Sequence, residues 1–535
     1  MWRYGLRVGR LAQAGAEILF PHRNTIRTAE ESEVSEVLEQ QRQDNTGAYE
    51  EFDVLIIGAG ISGIGSAYHL KTQCPGKSLV VLEAQSQFGG TWRTHKYPGV
   101  RSDSDLYTFG YRFKPWVGPP IATAQEIRKY LDDVIHENGL DRAIRYSTKI
   151  RRCSWSSSDN RWTVETTGAD GEPGKTYRCN FLWMCQGYYD HDNPYLPQWP
   201  GIENFQGELI HAQKWHDKVD YKGKQVVVIG SGATAATVIP AMADDAAHVT
   251  MLQRSPTYFF CYPNRSDLVD RLRLIGVDED TIHRCARLDY LHNLQALDHR
   301  SREEPDVVFE ELKALVRLYA GDDFEFAPHF TPKYRPWQQR LAFVPDGDMF
   351  VKMKEGKVSA VTDRIDHFTA DGIHLESGAD LKADLVVAAT GFNLLVMGGI
   401  EFVVDGKAFD WSSTATYRGM MFAGVPNLVW VFGYFRAAWT LRVDLLGDFV
   451  CRLLQHMQET GVDKVEIALP RDGVNEPLKP WIEDDNFNPG YLVRDMDKLP
   501  KRLGDRPEWR HTQDYWREAE EIPAIDLEGP EFAYT

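Results

Sequence analysis

The feature that most constrains this chain is an apolar run that breaks into a glycine turn, and it occurs twice. Asp53-Val-Leu-Ile-Ile57 has the length of a buried strand, and Gly58-Ala-Gly60-Ile-Ser-Gly63 and a helical stretch through Leu70 follow at once. Ser78 to Leu82 reads as a second strand ending at Glu83, 20 residues after Gly63. Strand, turn, helix, strand and acid in this order predict a dinucleotide-binding βαβ unit. The glycines permit the tight turn and let the backbone approach a pyrophosphate at the helix N-terminus, and Glu83 can accept hydrogen bonds from ribose hydroxyls.

The pattern returns at Lys224-Gln-Val-Val-Val-Ile229, with Gly230, Ser231, Gly232, Ala233, Thr234 and Ala235, a helical run to Met242 and a strand from His248 to Leu252. Gln253 and Arg254 stand where the acid would be, Arg254 19 residues after Ala235. A carboxylate there would repel a 2′-phosphate, whereas a guanidinium pairs with it bidentately, so the second site reads as one for NADPH. Two such units, the first with an acid and the second with an arginine, imply FAD in the first, reduced by NADPH from the second. The expected fold class is α/β, with two Rossmann-like dinucleotide-binding domains.

Composition narrows the chemistry. The net charge of −18 argues against nucleic acid as a partner. Seven cysteines (74, 153, 179, 185, 261, 285 and 451) include no C-x-x-C pair, which removes the dithiol that flavin disulfide reductases need. Oxygen chemistry or simple electron transfer remains, and the thiols suggest a reducing, cytoplasmic setting. No transmembrane span is expected, because the longest apolar stretch, 419–435, carries Pro426, Asn427 and three glycines. No metal site is expected. Arg3, Arg7 and Arg10 at helical spacing suggest an N-terminal amphipathic helix of unknown role; organelle targeting or membrane-surface association through it is the alternative to a cytoplasmic location.

Longer motifs carry a resemblance. Gly90-x-Trp92-x4-Tyr97-Pro98-Gly99-x3-Asp103 and the fingerprint Phe205-x-Gly207-x3-His211-x3-Trp215 resemble the signatures of the Baeyer–Villiger monooxygenases. Arg101-Ser-Asp-Ser-Asp105 and the run from His248 to Tyr258 are similar to the ethionamide monooxygenase branch, over roughly residues 50 to 515. One departure is His216, where the family fingerprint usually continues with Pro or Asp.

The resemblance implies an FAD- and NADPH-dependent enzyme that inserts one atom of O2 into ketones through a C4a-peroxyflavin, giving esters or lactones, with sulfide oxidation as a second activity. Peroxide anion and tetrahedral oxyanion are both negative, so a fixed cation beside the flavin lowers both. The resemblance puts that cation on Arg340 and its orienting carboxylate on Asp103. It puts Ser62, Thr91, Trp92 and the Ile150 backbone on the flavin side, and Arg101, Ser102 and Thr234 toward the nicotinamide cofactor. Trp439 reads as a cover of the reaction cavity or as a core aromatic, and His211 as a coupler of domain motion without a proton-transfer role. The implied organisation is an extension and linker over 1–49, an FAD domain over 50–195 and 385–535, and an NADPH domain over 196–384, within which the helical spacing of Leu268, Leu272 and Leu274 reads as a helical insertion at 265–325. An N- or S-hydroxylating flavin monooxygenase, or a non-oxygenating NADPH-binding oxidase or redox sensor, is the alternative.

Overall fold

A computed structural model describes residues 49–168, 171–470, 476–483 and 487–535. The amphipathic helix expected near the N-terminus lies outside them.

Two sheets carry the two glycine turns. In the first, the strands run Lys407–Ala408, Glu401–Val404, Lys149–Ser156, Arg161–Thr167, Pro173–Met184, Tyr49–Ile57, Leu79–Leu82 and Ile144–Arg145, with Leu428–Trp430 also paired to Pro173–Met184. Tyr49–Ile57 and Leu79–Leu82 pair in parallel, Ile57 opposite Leu82. Val54 to Ile57 are all buried, because residues covered on both faces read as a continuous apolar run without alternation. The second sheet is wholly parallel, in the order Val358–Thr362, His248–Gln253, Gln225–Ile229, Leu385–Ala388, Glu208–His211. Its order reverses beside Gln225–Ile229, which leaves a crevice at the carboxyl end of that strand, where open α/β sheets bind ligands.

The boundary expected between residues 384 and 385 is corrected by this pairing. Leu385–Ala388 is flanked on both sides by strands of the second sheet and is fully buried, so the chain leaves that sheet only after Ala388. Residues 265–325 contain the helices Asp267–Leu274, Glu279–Glu303 and Pro305–Ala320, the first two capped by the Ser266 and Asp278 side chains. Arg287 of the second donates to the carbonyls of Tyr107, Thr108 and Gly110 and pairs with Asp444, which ties these helices to the core beside the first sheet. Among the described residues, no helix is long and apolar enough to cross a membrane.

Candidate active site

Each glycine turn leads into a helix whose start lacks a side-chain cap, Ile61–Gln73 after Gly60 and Ala233–Met242 after Gly232. The first-turn amides therefore remain for an anion. A Cβ added at Gly60 would meet only Gly90, at 3.7 Å, and one added at Gly232 would meet nothing within 4 Å. Both turns thus leave the room that a pyrophosphate requires. Gly63 differs, since a Cβ there would lie 1.8 Å from the Gly58 carbonyl oxygen, so its hydrogen lets the helix pack against the turn.

Glu83 stands at the end of Leu79–Leu82 and holds the first turn. Its Oε2 accepts from Ala59 N at 2.7 Å and its Oε1 from Gln85 N at 2.8 Å, which leaves lone pairs for ribose hydroxyls. Burial pushes its pKa up, against the pull of these amides. Thr148 N donates to the Glu83 carbonyl, which brings the strand containing Ile150 beside the same acid. Thr91 and Trp92 open a short helix after Gly89 and Gly90, and Trp92 meets Phe109 edge to face.

At the second turn, Ser231 bonds Thr257 and Arg254 is exposed just past the strand. Gln253, expected beside Arg254 among the residues that hold NADPH, has its side chain engaged within the protein. As the last residue of a buried strand it turns inward, donating to His329 O and Thr362 Oγ1. Arg494, which no local pattern marked, lies over the Tyr195 ring at 3.4 Å and donates to Phe392 O. Burial lowers its pKa, and the charge of nearby Arg254 adds to the effect. Arg254→Ala should raise the KM for NADPH by one to two powers of ten, since a hydrogen-bonded charge contributes about 1.5–3 kcal/mol. NADH kinetics should barely move; equal loss with both cofactors would refute the assignment.

The first signature lies across both motifs. Tyr97 bonds Thr234, and a Cβ on Gly99 would press on Ala241 at 2.7 Å, so this turn lies against the helix Ala233–Met242. Arg101 rests on the same helix, forks onto Asp348 at 2.6 and 3.2 Å, and approaches Ala236 O. Ser102 Oγ accepts from Ala122 N. In the fingerprint, Phe205 packs edge-on to Phe368, Trp215 lies near Tyr221, and Gly207 has no room for a Cβ between Phe205 and Asp384 O.

His95, Tyr97, His211, Thr234, Ala389 and Gly391 line one small cleft. Burial lowers the His95 pKa to about 3 and the His211 pKa to about 4. Both protonate near 6.5 once unfolded, so between these values the unfolded chain binds more protons. Stability is complete above about pH 6.5 and declines as pH falls toward 4, by up to about 1.4 kcal/mol per pH unit for each imidazole. Thermal melts from pH 7 to 5 should show a shallower acid loss for His95→Asn than for wild type. Parallel losses would exclude this account.

Arg340 precedes the strand Ala342–Pro345 and forks onto Asp103, Nε to Oδ2 at 2.5 Å and one terminal nitrogen to Oδ1 at 2.8 Å. That nitrogen also reaches Ser104 Oγ at 3.2 Å, and the other donates to Phe435 O at 2.7 Å. Burial opposes its charge, but Asp103 outweighs burial and raises the Arg340 pKa. One third of the side chain stays exposed. Tyr189 and Tyr491 lie close enough for their phenols to feel this charge, although burial keeps both pKa values high. Tyr188 donates to Tyr189 and stacks on Trp439 at 5.3 Å, and Trp439 Nε1 donates to Ser62 Oγ at 2.8 Å. Phe435, whose carbonyl holds Arg340, meets Tyr188 edge to face at 6.5 Å, so contacts run from the Arg340–Asp103 pair through Phe435, Tyr188 and Trp439 to the first glycine turn. These tyrosines and the Phe435 carbonyl carry no sequence signal of their own.

A family model described as pyridine nucleotide-disulphide oxidoreductase matches residues 55–267. The chain is 43% identical over 488 residues to the FAD-containing monooxygenase EthA of Mycobacterium tuberculosis, spanning 90% of this chain and 98% of that one. Among solved structures, an oxidized steroid monooxygenase bound to NADP aligns with a TM-score of 0.68 at 22% identity, over 90% of this chain and 99% of its own. An ε-caprolactone-bound cyclohexanone monooxygenase aligns with a TM-score of 0.67 at 20% identity, over 91% and 100%.

Proposed function

Since the chain belongs to the family of FAD-containing monooxygenases, we propose that it couples oxidation of NADPH to insertion of one oxygen atom beside a ketone carbonyl, giving an ester or lactone. The balance is ketone, O2, NADPH and a proton to ester, NADP+ and water. Bound FAD would supply the two-electron chemistry that links NADPH oxidation to O2. The glycine turn at Gly58–Gly63 and Glu83 would hold FAD; the turn at Gly230–Ala235 and Arg254 would hold NADPH.

The observation that carries the ketone reading is the Arg340–Asp103 pair. A guanidinium held by Asp103, Ser104 and the Phe435 carbonyl is aimed before reaction, so it stabilises negative charge developing on oxygen without reorganising first. Asp103 favours the charged form of Arg340 and orients it, and Trp439, stacked on Tyr188, is bonded to Ser62 of the first glycine turn. Sulfides, which need no carbonyl attack, are proposed as second substrates. Seven free cysteines, six of them buried, suit a reducing, cytoplasmic setting.

The test is a panel of ketones and sulfides under O2, with NADPH consumption, organic product and hydrogen peroxide measured together. Esters support the proposal. Heteroatom oxides alone would make it an N- or S-oxygenase, and peroxide alone an oxidase.

A further inference from the structure

We propose that Gln513 is a positioning residue for Arg340, acting through the Phe435 carbonyl. The inference rests on the reading of Arg340 as the cation of the oxygenation site.

A carboxylate fork sets the plane of a guanidinium but lets the pair swing together about the Asp side chain. Beyond the fork, Arg340 reaches Ser104 Oγ at 3.2 Å and, on its other terminal nitrogen, Phe435 O at 2.7 Å; the shorter bond, on the side away from the fork, limits that swing most, so the placement of this carbonyl decides where the charge points. Yet residues 431–438, between Leu428–Trp430 and the helix Trp439–Thr460, belong to neither a helix nor a strand.

Gln513 supplies what a neighbouring strand would. Its Oε1 accepts from Phe435 N at 2.7 Å and its Nε2 donates to Gly433 O at 3.1 Å, so one side chain clamps two alternate residues. It is 5% exposed, and its own backbone has φ +56°, a left-handed conformation uncommon outside glycine. Gln513 N donates to His511 Nδ1. The other strap residues are tied by different groups, Phe432 O to Arg442 and Tyr434 to Glu518, which in turn accepts from Arg442 and Thr512. Of these side chains, Gln513 alone bonds the residue whose carbonyl holds Arg340.

Gln513→Met keeps the length and removes both bonds. Thr512→Val removes a bond to Glu518 from the same buried network without touching Phe435. With 2-octanone and thioanisole as probes, Gln513→Met should raise hydrogen peroxide released per oxygenated product about tenfold. In the apoprotein, phenylglyoxal should label Arg340 several-fold faster and the Phe435 amide should lose protection from hydrogen exchange. Thr512→Val should lower Tm yet leave the product ratio and labelling as in wild type. Gln513→Glu, which keeps an acceptor for Phe435 N, should stay within about threefold of the wild-type ratio, and Gln513→Leu, which also removes both bonds, serves if the methionine variant does not fold. In an Arg340→Ala background, Gln513→Met should add nothing to the uncoupling.

Wild-type coupling and labelling in Gln513→Met would overturn the proposal. So would equal uncoupling by Thr512→Val, which would reduce the effect to general loosening. If Arg340→Ala itself leaves oxygenation intact, the reading of the cation fails instead, while labelling and exchange still report whether Gln513 fixes the guanidinium.

Discussion

Arg340→Ala should lower oxygenation by at least two powers of ten while NADPH is still consumed and its electrons leave as hydrogen peroxide. Both glycine turns lie outside the contacts of this side chain, so cofactor binding and flavin reduction should persist. What disappears is a charge already aimed before the reaction. Removing one preorganised donor from such a site costs roughly 3–4 kcal/mol of transition-state stabilisation, a factor of several hundred. Asp103→Ala should give a milder form, since the guanidinium keeps its bonds to Phe435 O and Ser104 but loses its fork. Ester formation at the wild-type rate by a chain lacking Arg340 would show that the charge comes from elsewhere, and the site proposed here would be abandoned.

The second large effect concerns the glycines. Gly60→Val should yield folded but colourless protein, because Gly60 has ordinary extended backbone (φ −79°, ψ −171°) and its added Cβ faces ligand space rather than protein. Losing the N-cap glycine costs the helix about 1 kcal/mol, too little to unfold a domain of this size. Gly63→Ala should instead misfold or express poorly, since its methyl would overlap the Gly58 carbonyl. Gly232→Val should keep full flavin yet no longer be reduced by NADPH. Flavin absorbance and stopped-flow reduction of the three purified variants separate these outcomes. A yellow Gly60→Val protein with full flavin would reverse the assignment of the two sites.

The two glycine turns were legible in the sequence because their physics is local: strand length, turn and helix all fall within 30 residues. The helical insertion was legible for the same reason, through the spacing of Leu268, Leu272 and Leu274. Arg340 was not, since a single loop arginine looks like any solvated charge, and only its likeness to a family motif singled it out. Its partners Asp103 and Phe435 are distant in sequence and meet it through tertiary packing. The inward turn of Gln253 was not legible, because motif position says which residue ends a strand, but not which way its side chain turns. Gln513 and Arg494 belong to segments without periodicity, and only the folded chain shows what they hold.

The interleaving of the two sheets also sets an order of manufacture. Every strand of the second sheet has been synthesised once residue 388 has emerged, whereas the first sheet still awaits Glu401–Val404 and Leu428–Trp430. The helix behind the flavin turn, Ile61–Gln73, waits longer for its partner Trp439–Thr460, and Arg340 waits for the strap that Gln513 clamps. On the ribosome, where domains form from the N-terminal side as the chain lengthens, the contacts around Arg340 are therefore among the last to be completed. A chain stopped short of its C-terminal segment therefore has every strand of the second sheet but lacks the groups that hold Phe435 in place.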